Sequence, residues 1–267
     1  MPPVVSSRLR SPASGFGAGR SATGVPASTD QHAWRTHFWL PLSALAVLTL
    51  VLMPGQGDLW IADRLYDLQG HGWALRHAFV TDTVIHLAGR DLSLVAWLAV
   101  VAAWLLARRN AGLQPWRGPL AYLAVSTLLA TAVVAWIKSW SNMDCPWDLL
   151  RYGGERPYVG LLGLRPVGLS RGACFPAGHA SAGYAWLGLY FFFRATRPRL
   201  RWFGLLAGGT VGLVFGVSQQ LRGAHFLSHD VWTAALCWMV ALALSLLPWT
   251  RPAAASPSAA LAAGPYR

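Results

Sequence analysis

Charge is scarce in this chain: of 267 residues, 54% are hydrophobic and only 12% are Asp, Glu, Lys or Arg. A soluble globular domain carries about a quarter charged residues, so that class is excluded. Acids are rarer than bases, ten against 22, and the net charge of +12 raises the question of a nucleic-acid partner. Cysteine is rare too, with three copies. No ionisable residue lies in the middle of an apolar run and no run is visibly broken, which speaks against a transporter.

What the chain has instead is uncharged runs long enough to cross a bilayer. They fall at 36–57, 118–137, 172–193, 202–221 and 231–250, with a shorter one at 92–107 that Arg108 and Arg109 complete by snorkelling. The expected class is therefore an all-α polytopic membrane protein: a six-transmembrane-helix bundle at 36–250 with an outside interfacial helix and an active-site loop. With the N-terminus inside, the whole basic excess falls on inside segments, where Asp30 is the only acid, while outside charges balance. That distribution is the positive-inside pattern, so charge here reports orientation and anionic headgroups, not nucleic acid. Both termini are expected in the cytoplasm of a bacterial inner membrane, with the motif-bearing loops periplasmic.

Residues 1–35, rich in Ser, Pro, Gly and Ala, read as a disordered cytoplasmic arm without a cleavage site for a signal peptide. Residues 251–267 read as a cytoplasmic tail. Residues 58–90 lie outside, and the apolar spacing of Leu59, Ile61, Ala62, Leu65, Tyr66 and Leu68 predicts a helix at the interface. Gly204, Gly208, Gly212 and Gly216 make a smooth face that is expected to pack inside the bundle. Cys145 and Cys174 share one outside loop and Cys237 is mid-span. In an oxidising compartment the loop pair is a candidate disulfide; two free thiols, or a metal site with nearby His and Asp, are the alternatives.

The chemistry concentrates around residues 171–184, RGACFPAGHASAGY. A Pro-Ala-Gly turn opens a helix, whose free N–H groups and dipole favour an anion, and His179 at that position can deliver a proton. The bland alternative is a capping or packed histidine. Lys138 closes one span, as a snorkelling anchor or as an anion ligand. Arg151, Arg156, Arg165 and Arg171 crowd the loop to Gly178; forked phosphate binding is one use, and salt bridges to Asp144, Asp148 and Glu155 are the plainer one. Further on, Arg222, His225, His229 and Asp230 cluster at a membrane edge, where such residues are costly. If the chain stays helical there, Arg222, His225 and His229 share a face.

Lys138, Pro-Ala-Gly-His179 and the Arg222/His225 segment, in this order and spacing, resemble the type-2 phosphatidic acid phosphatase superfamily, lipid phosphatases related to vanadium haloperoxidases. That family reads Lys, six residues, Arg-Pro; Pro-Ser-Gly-His; and Ser-Arg, five residues, His, three residues, Asp. Here Lys138 matches, Cys145-Pro146 stands at Arg-Pro, and Ala177 replaces the serine beside Pro176, Gly178 and His179. Ser218 matches, Gln219 replaces the arginine, His225 matches, and His229 occupies the aspartate position with Asp230 one residue later. The Cys-Pro-Trp-Asp-Leu run at 145–149 marks a variant subgroup.

The resemblance implies that His225 attacks phosphorus to form a phosphohistidine, and that His179 protonates the leaving lipid oxygen and then activates water. Asp230, or else His229, would orient His225. Lys138, Gly178 and Gln219 would line the phosphate seat, with Arg222, Arg156 or Arg171 supplying the charge of the missing arginines. A Cys145–Cys174 bond would tie the loop beside His179. No cofactor and no metal are implied, and the partners are a lipid phosphate or diphosphate substrate and the bilayer. A lipid phosphotransferase, or a silent lipid-phosphate-binding membrane protein, are the rival readings.

Overall fold

The computed structural model of the chain describes residues 34–160 and 163–250. The expected tail at 251–267 and nearly all of the expected arm at 1–35 lie outside the described residues; Trp34 and Arg35, at the end of that arm, are already helical.

Among the described residues the fold is nearly all helix, with one isolated bridge between Leu149 and Arg156. Apolar runs surrounded by lipid must satisfy every backbone N–H and C=O within themselves, and a helix does that. Helix α1 spans Leu40–Leu52, continuing a π-helical turn at Arg35–Trp39. The amphipathic α2 is Gly57–Leu68, as its spacing predicts. A nine-residue π-helical stretch, Val80–Ala88, runs into α3 at Gly89–Arg109. Then come α4 at Arg117–Lys138, α5 at Gly178–Tyr184, α6 at Gly188–Thr196, α7 at Arg201–Leu221 and α8 at Leu227–Ser245.

Among the described residues five helical stretches are long and apolar enough to cross a bilayer: Arg35–Leu52, Val80–Arg109, Ala111–Lys138, Pro198–Leu221 and Leu227–Ser245. The run expected as another crossing, 172–193, is helical only from Gly178 and is divided into α5, a 3₁₀ turn at Ala185–Leu187, and α6. Two other boundaries differ from expectation. The crossing expected at 92–107 begins at Val80, because Asp82, which interrupts its apolar pattern, pairs with Arg222 at the end of the bundle, where the His86 ring also meets His179. The last begins at Leu227, ahead of 231, because Asp58 on α2 accepts the Ser228 N–H at 2.9 Å and so caps the helix from a distance.

Helix α4 packs on α8, and α5 and α6 pack on α7. Small residues permit these approaches: a Cβ at Gly208 would lie 2.5 Å from the Leu187 nitrogen, and one at Gly212 2.1 Å from the Tyr184 ring. The glycine face of α7 is therefore spent inside the bundle, as expected. Ala130, Val134, Ala180, Tyr184 and Cys237 form one buried cluster, and Tyr122, Tyr190, Phe191 and Leu242 belong to another. Leu92, Val95 and Leu98 on α3, and Leu206, Leu213 and Val217 on α7, remain exposed, the outward surface that a lipid-embedded bundle presents.

Candidate active site

Lys138 at the end of α4, the start of α5, the α7–α8 junction and the Val80–Ala88 stretch come together at one end of the bundle. The loop between α4 and α5 is fastened over them. Cys145 and Cys174 are joined by a disulfide with Cα atoms 5.2 Å apart, and Cys237 is free and buried. Among the described residues, the one grouping of His, Cys or acid tight enough for a metal is Cys145, Asp148 and Cys174, and the disulfide uses two of its three donors.

A second fastening is ionic. The buried Asp144 carboxylate receives Arg156 at 2.6 Å and Arg165 at 2.7 and 2.9 Å. Burial works to raise the Asp144 carboxyl, but the two guanidinium groups outweigh it and hold it below the ordinary carboxylate value. Arg156 also donates to Ser170 Oγ at 2.7 Å, and Arg171 donates to the Lys138 carbonyl at 3.0 Å. Both were candidates for the phosphate seat. Arg156 is instead committed to the loop, the plainer use, and Arg171 to the end of α4. Arg151 pairs with Asp63 on α2, an acid outside the set expected for it.

The shared helical face expected for Arg222, His225 and His229 does not form. Helix α7 stops at Leu221, and Gly223 adopts φ 73°, with the Trp73 ring 2.3 Å from where a Cβ would stand. Only glycine suits that turn. The break still brings the histidines together: His225 Nδ1 lies 3.2 Å from His229 Nδ1. The Cys174 carbonyl lies against both rings. Burial, followed by the Lys138 ammonium and His229, pushes the His225 imidazole well below its usual value and keeps it neutral.

Asp230 was the first choice to orient His225, and it faces elsewhere. Its Oδ2 accepts from Gln220 Nε2 at 2.5 Å, and its carboxyl fills the space beside Gly216. Neighbouring positions on a helix do not face the same way, so once His229 meets His225, Asp230 points into the bundle.

His179 is held on several sides. Its ring stacks on Phe215 with centroids 4.7 Å apart, meets His86 edge-on at 4.5 Å, and bonds to the Ile85 carbonyl. Its Nε2 is buried without a partner. His179 and His225 stand at the same end of the bundle, close enough for the charge of one to act on the other.

Lys138, the single lysine of the chain, acts electrostatically on both His225 and His229. Its Nζ lies over Gly178, 3.4 Å from where a Cβ would be, and no carboxylate among the described residues pairs with it. Arg222 is buried and donates to Asp82 at 2.6 Å and to the Arg76 carbonyl at 2.8 Å, which leaves Nη1 buried and unpartnered. Gln219 Nε2 is likewise buried and unpartnered. Of the three replacement arginines, Arg222 is the one whose charge reaches His179. Asp82 and His86 were missed in the sequence. Their four-residue spacing was the available signal, hidden inside a segment read as outside loop.

The family model of the PAP2 superfamily matches residues 119–253. No curated protein matches the chain. A solved structure, a transmembrane PAP2-type phosphatidylglycerolphosphate phosphatase from Bacillus subtilis, is similar at 15% identity and a TM-score of 0.44, covering 79% of this chain and 92% of that one.

Proposed function

We propose that this chain, which belongs to the PAP2 superfamily, is a membrane phosphatase that hydrolyses a lipid phosphate or diphosphate through a phosphohistidine. The observation that carries this reading is a set of buried polar atoms without partners, the donors Arg222 Nη1 and Gln219 Nε2 and the ring nitrogen His179 Nε2, beside an unpaired Lys138 and the His225–His229 pair. A buried donor left unsatisfied costs about 1–3 kcal/mol, and an anion in the seat relieves several such costs together.

In the tautomer the reaction needs, His225 Nδ1–H donates to His229 Nδ1, and the Nε2 lone pair is free to attack phosphorus. The phosphorus–oxygen bond to the lipid breaks as His179 gives its Nε2 proton to the leaving oxygen. Water then attacks the phosphohistidine, passes a proton to His179, and the phosphorus–nitrogen bond breaks to release phosphate and restore His225. Lys138 and Arg222 stabilise charge on the transferring group, so no step calls on a metal. The neutral state of His225 suits a nucleophile.

The divided α5–α6 helix is the sixth crossing in this reading, and the arginine-rich turns lie in the cytoplasm. The seat then opens at the periplasmic headgroup level, where a lipid can present its phosphate while its chains stay in the bilayer.

The test is phosphate release by the detergent-purified protein from a panel of lipid monophosphates and diphosphates. Activity that vanadate blocks, that His225→Ala abolishes and that His179→Ala lowers strongly to a measurable residual level is expected. Full activity in the His225→Ala protein would overturn the assignment.

A further inference from the structure

Asp82 and His86 have no part in the reaction as written, yet they touch both of its charged instruments. They lie four residues apart on the π-helical Val80–Ala88 stretch, with His86 Nδ1 3.5 Å from Asp82 Oδ1. The same Asp82 oxygen receives Arg222 Nη2 at 2.6 Å. The other end of this arrangement is the edge-on contact of the His86 ring with His179. Short π-helical stretches within longer helices are frequent at functional sites, because the extra residue per turn re-aims side chains.

We propose that His86, whose ring meets His179 edge-on, is a positioning residue for His179 that keeps the acid's Nε2 directed at the leaving oxygen. This rests on the phosphatase reading above. A ring stacked on Phe215 alone is free to slide and turn in its own plane. The Ile85 carbonyl fixes one edge of His179, and His86 closes off another. Phe215 is itself seated by this segment: a Cβ at Gly89 would come within 2.7 Å of its ring, so the aromatic lies directly on the glycine. One short stretch, Ile85 to Gly89, thus supplies two walls of the His179 pocket and backs the third, Phe215. Asp82, one turn earlier, pairs with Arg222, the arginine that in this reading replaces a missing phosphate ligand. Displacing His86 disturbs proton delivery first and phosphate binding second.

Dependence on the leaving group separates this role from a general structural one. The first-step constant kcat/KM is measured with a lipid phosphate, whose alkoxide leaves poorly, and with p-nitrophenyl phosphate, whose phenolate leaves readily without a proton. His86→Ala is expected to lower kcat/KM for the lipid phosphate by roughly 30- to 100-fold and for the aryl phosphate by less than about fivefold. The His86→Ala/His179→Ala double variant is expected to be no slower than His179→Ala alone, within about twofold. His86→Asn repeats the measurement should the alanine variant fail to fold. Equal losses on both substrates, additive losses in the double variant, or wild-type rates in His86→Ala would each overturn the inference while leaving the phosphatase reading intact. A wild-type protein that releases phosphate from neither substrate overturns that reading and this inference together.

Discussion

His225 and His229 meet Nδ1 to Nδ1 at 3.2 Å across the break between α7 and α8, and Asp230, one residue on, faces Gln220. In the proposed mechanism the orienting partner of His225 is thus an imidazole in place of a carboxylate. His229→Ala is expected to lower kcat by about 10²-fold or more, since the attacking tautomer is no longer selected. Asp230→Asn should leave the chemistry within a few fold and act mainly on stability. Kinetics of the two purified variants decide between them; a larger catalytic loss in Asp230→Asn would reverse the assignment.

Arg222 should outweigh Arg156 and Arg171 in catalysis. Its Nη1 is buried and unpartnered, whereas Arg156 is bound to Asp144 and Arg171 to the Lys138 carbonyl. Arg222→Ala is expected to cost roughly 10²–10³ in kcat/KM. Arg171→Ala should cost far less, and Arg156→Ala should appear mainly as lowered thermal stability. Steady-state kinetics on the three variants would expose a mistaken ranking at once.

The Cys145–Cys174 bond spans a sequence separation of 29 and sits where the Cys174 carbonyl lies against both histidines of the pair. Closing a loop of that length contributes about 3–4 kcal/mol in the chain-entropy account. Reduction, or Cys145→Ser with Cys174→Ser, should therefore lower both melting temperature and activity. Thiol labelling before and after reductant reads the bond itself, and unchanged activity in a fully reduced protein would separate the loop from the site.

The Asp144 clamp predicts a local stability loss. Asp144→Ala leaves the nearly buried Arg165 unpaired and frees Arg156, a change of about 3 kcal/mol. Because the Asp144 carboxyl is held below its ordinary value, its contribution is complete above the unfolded pKa and disappears as pH falls through the folded one. The melting difference between wild type and Asp144→Asn should be clear at neutral pH and vanish in strong acid; a difference that grew with acidity would contradict the clamp.

Asp58 carries the opposite sign. Burial raises its carboxyl to about 6 from an unfolded value of 3.8, with the hydrogen bond from the Ser228 N–H pulling it partly back. The folded state then binds the proton more tightly, so this stability is full below the unfolded pKa and is lost as pH rises through about 6. Asp58→Asn keeps an oxygen for the Ser228 N–H. It should melt slightly above wild type at pH 5 and a few degrees above it at pH 8. Thermal scans at the two pH values check this, and a variant less stable at pH 8 than at pH 5 relative to wild type would refute it.

Composition and run length by themselves determined that this is a helical membrane protein, because a long uncharged segment in lipid has no other way to satisfy its backbone. The amphipathic α2, the fate of the α7 glycines and the histidine-bearing junction were legible for similar local reasons: periodicity, residue size and the cost of polar groups at a membrane edge. The start of the second crossing was not, since Asp82 and His86 look like loop residues until Arg222 is brought to them from 140 positions away. Nor could the sequence choose between His229 and Asp230, which differ by one step in number but point in different directions once α8 begins at Leu227. The same holds for the arginines. Four of them share one loop, and that Asp144 ties up Arg156 and Arg165 while Asp63 takes Arg151 is a matter of three-dimensional packing that no local pattern encodes.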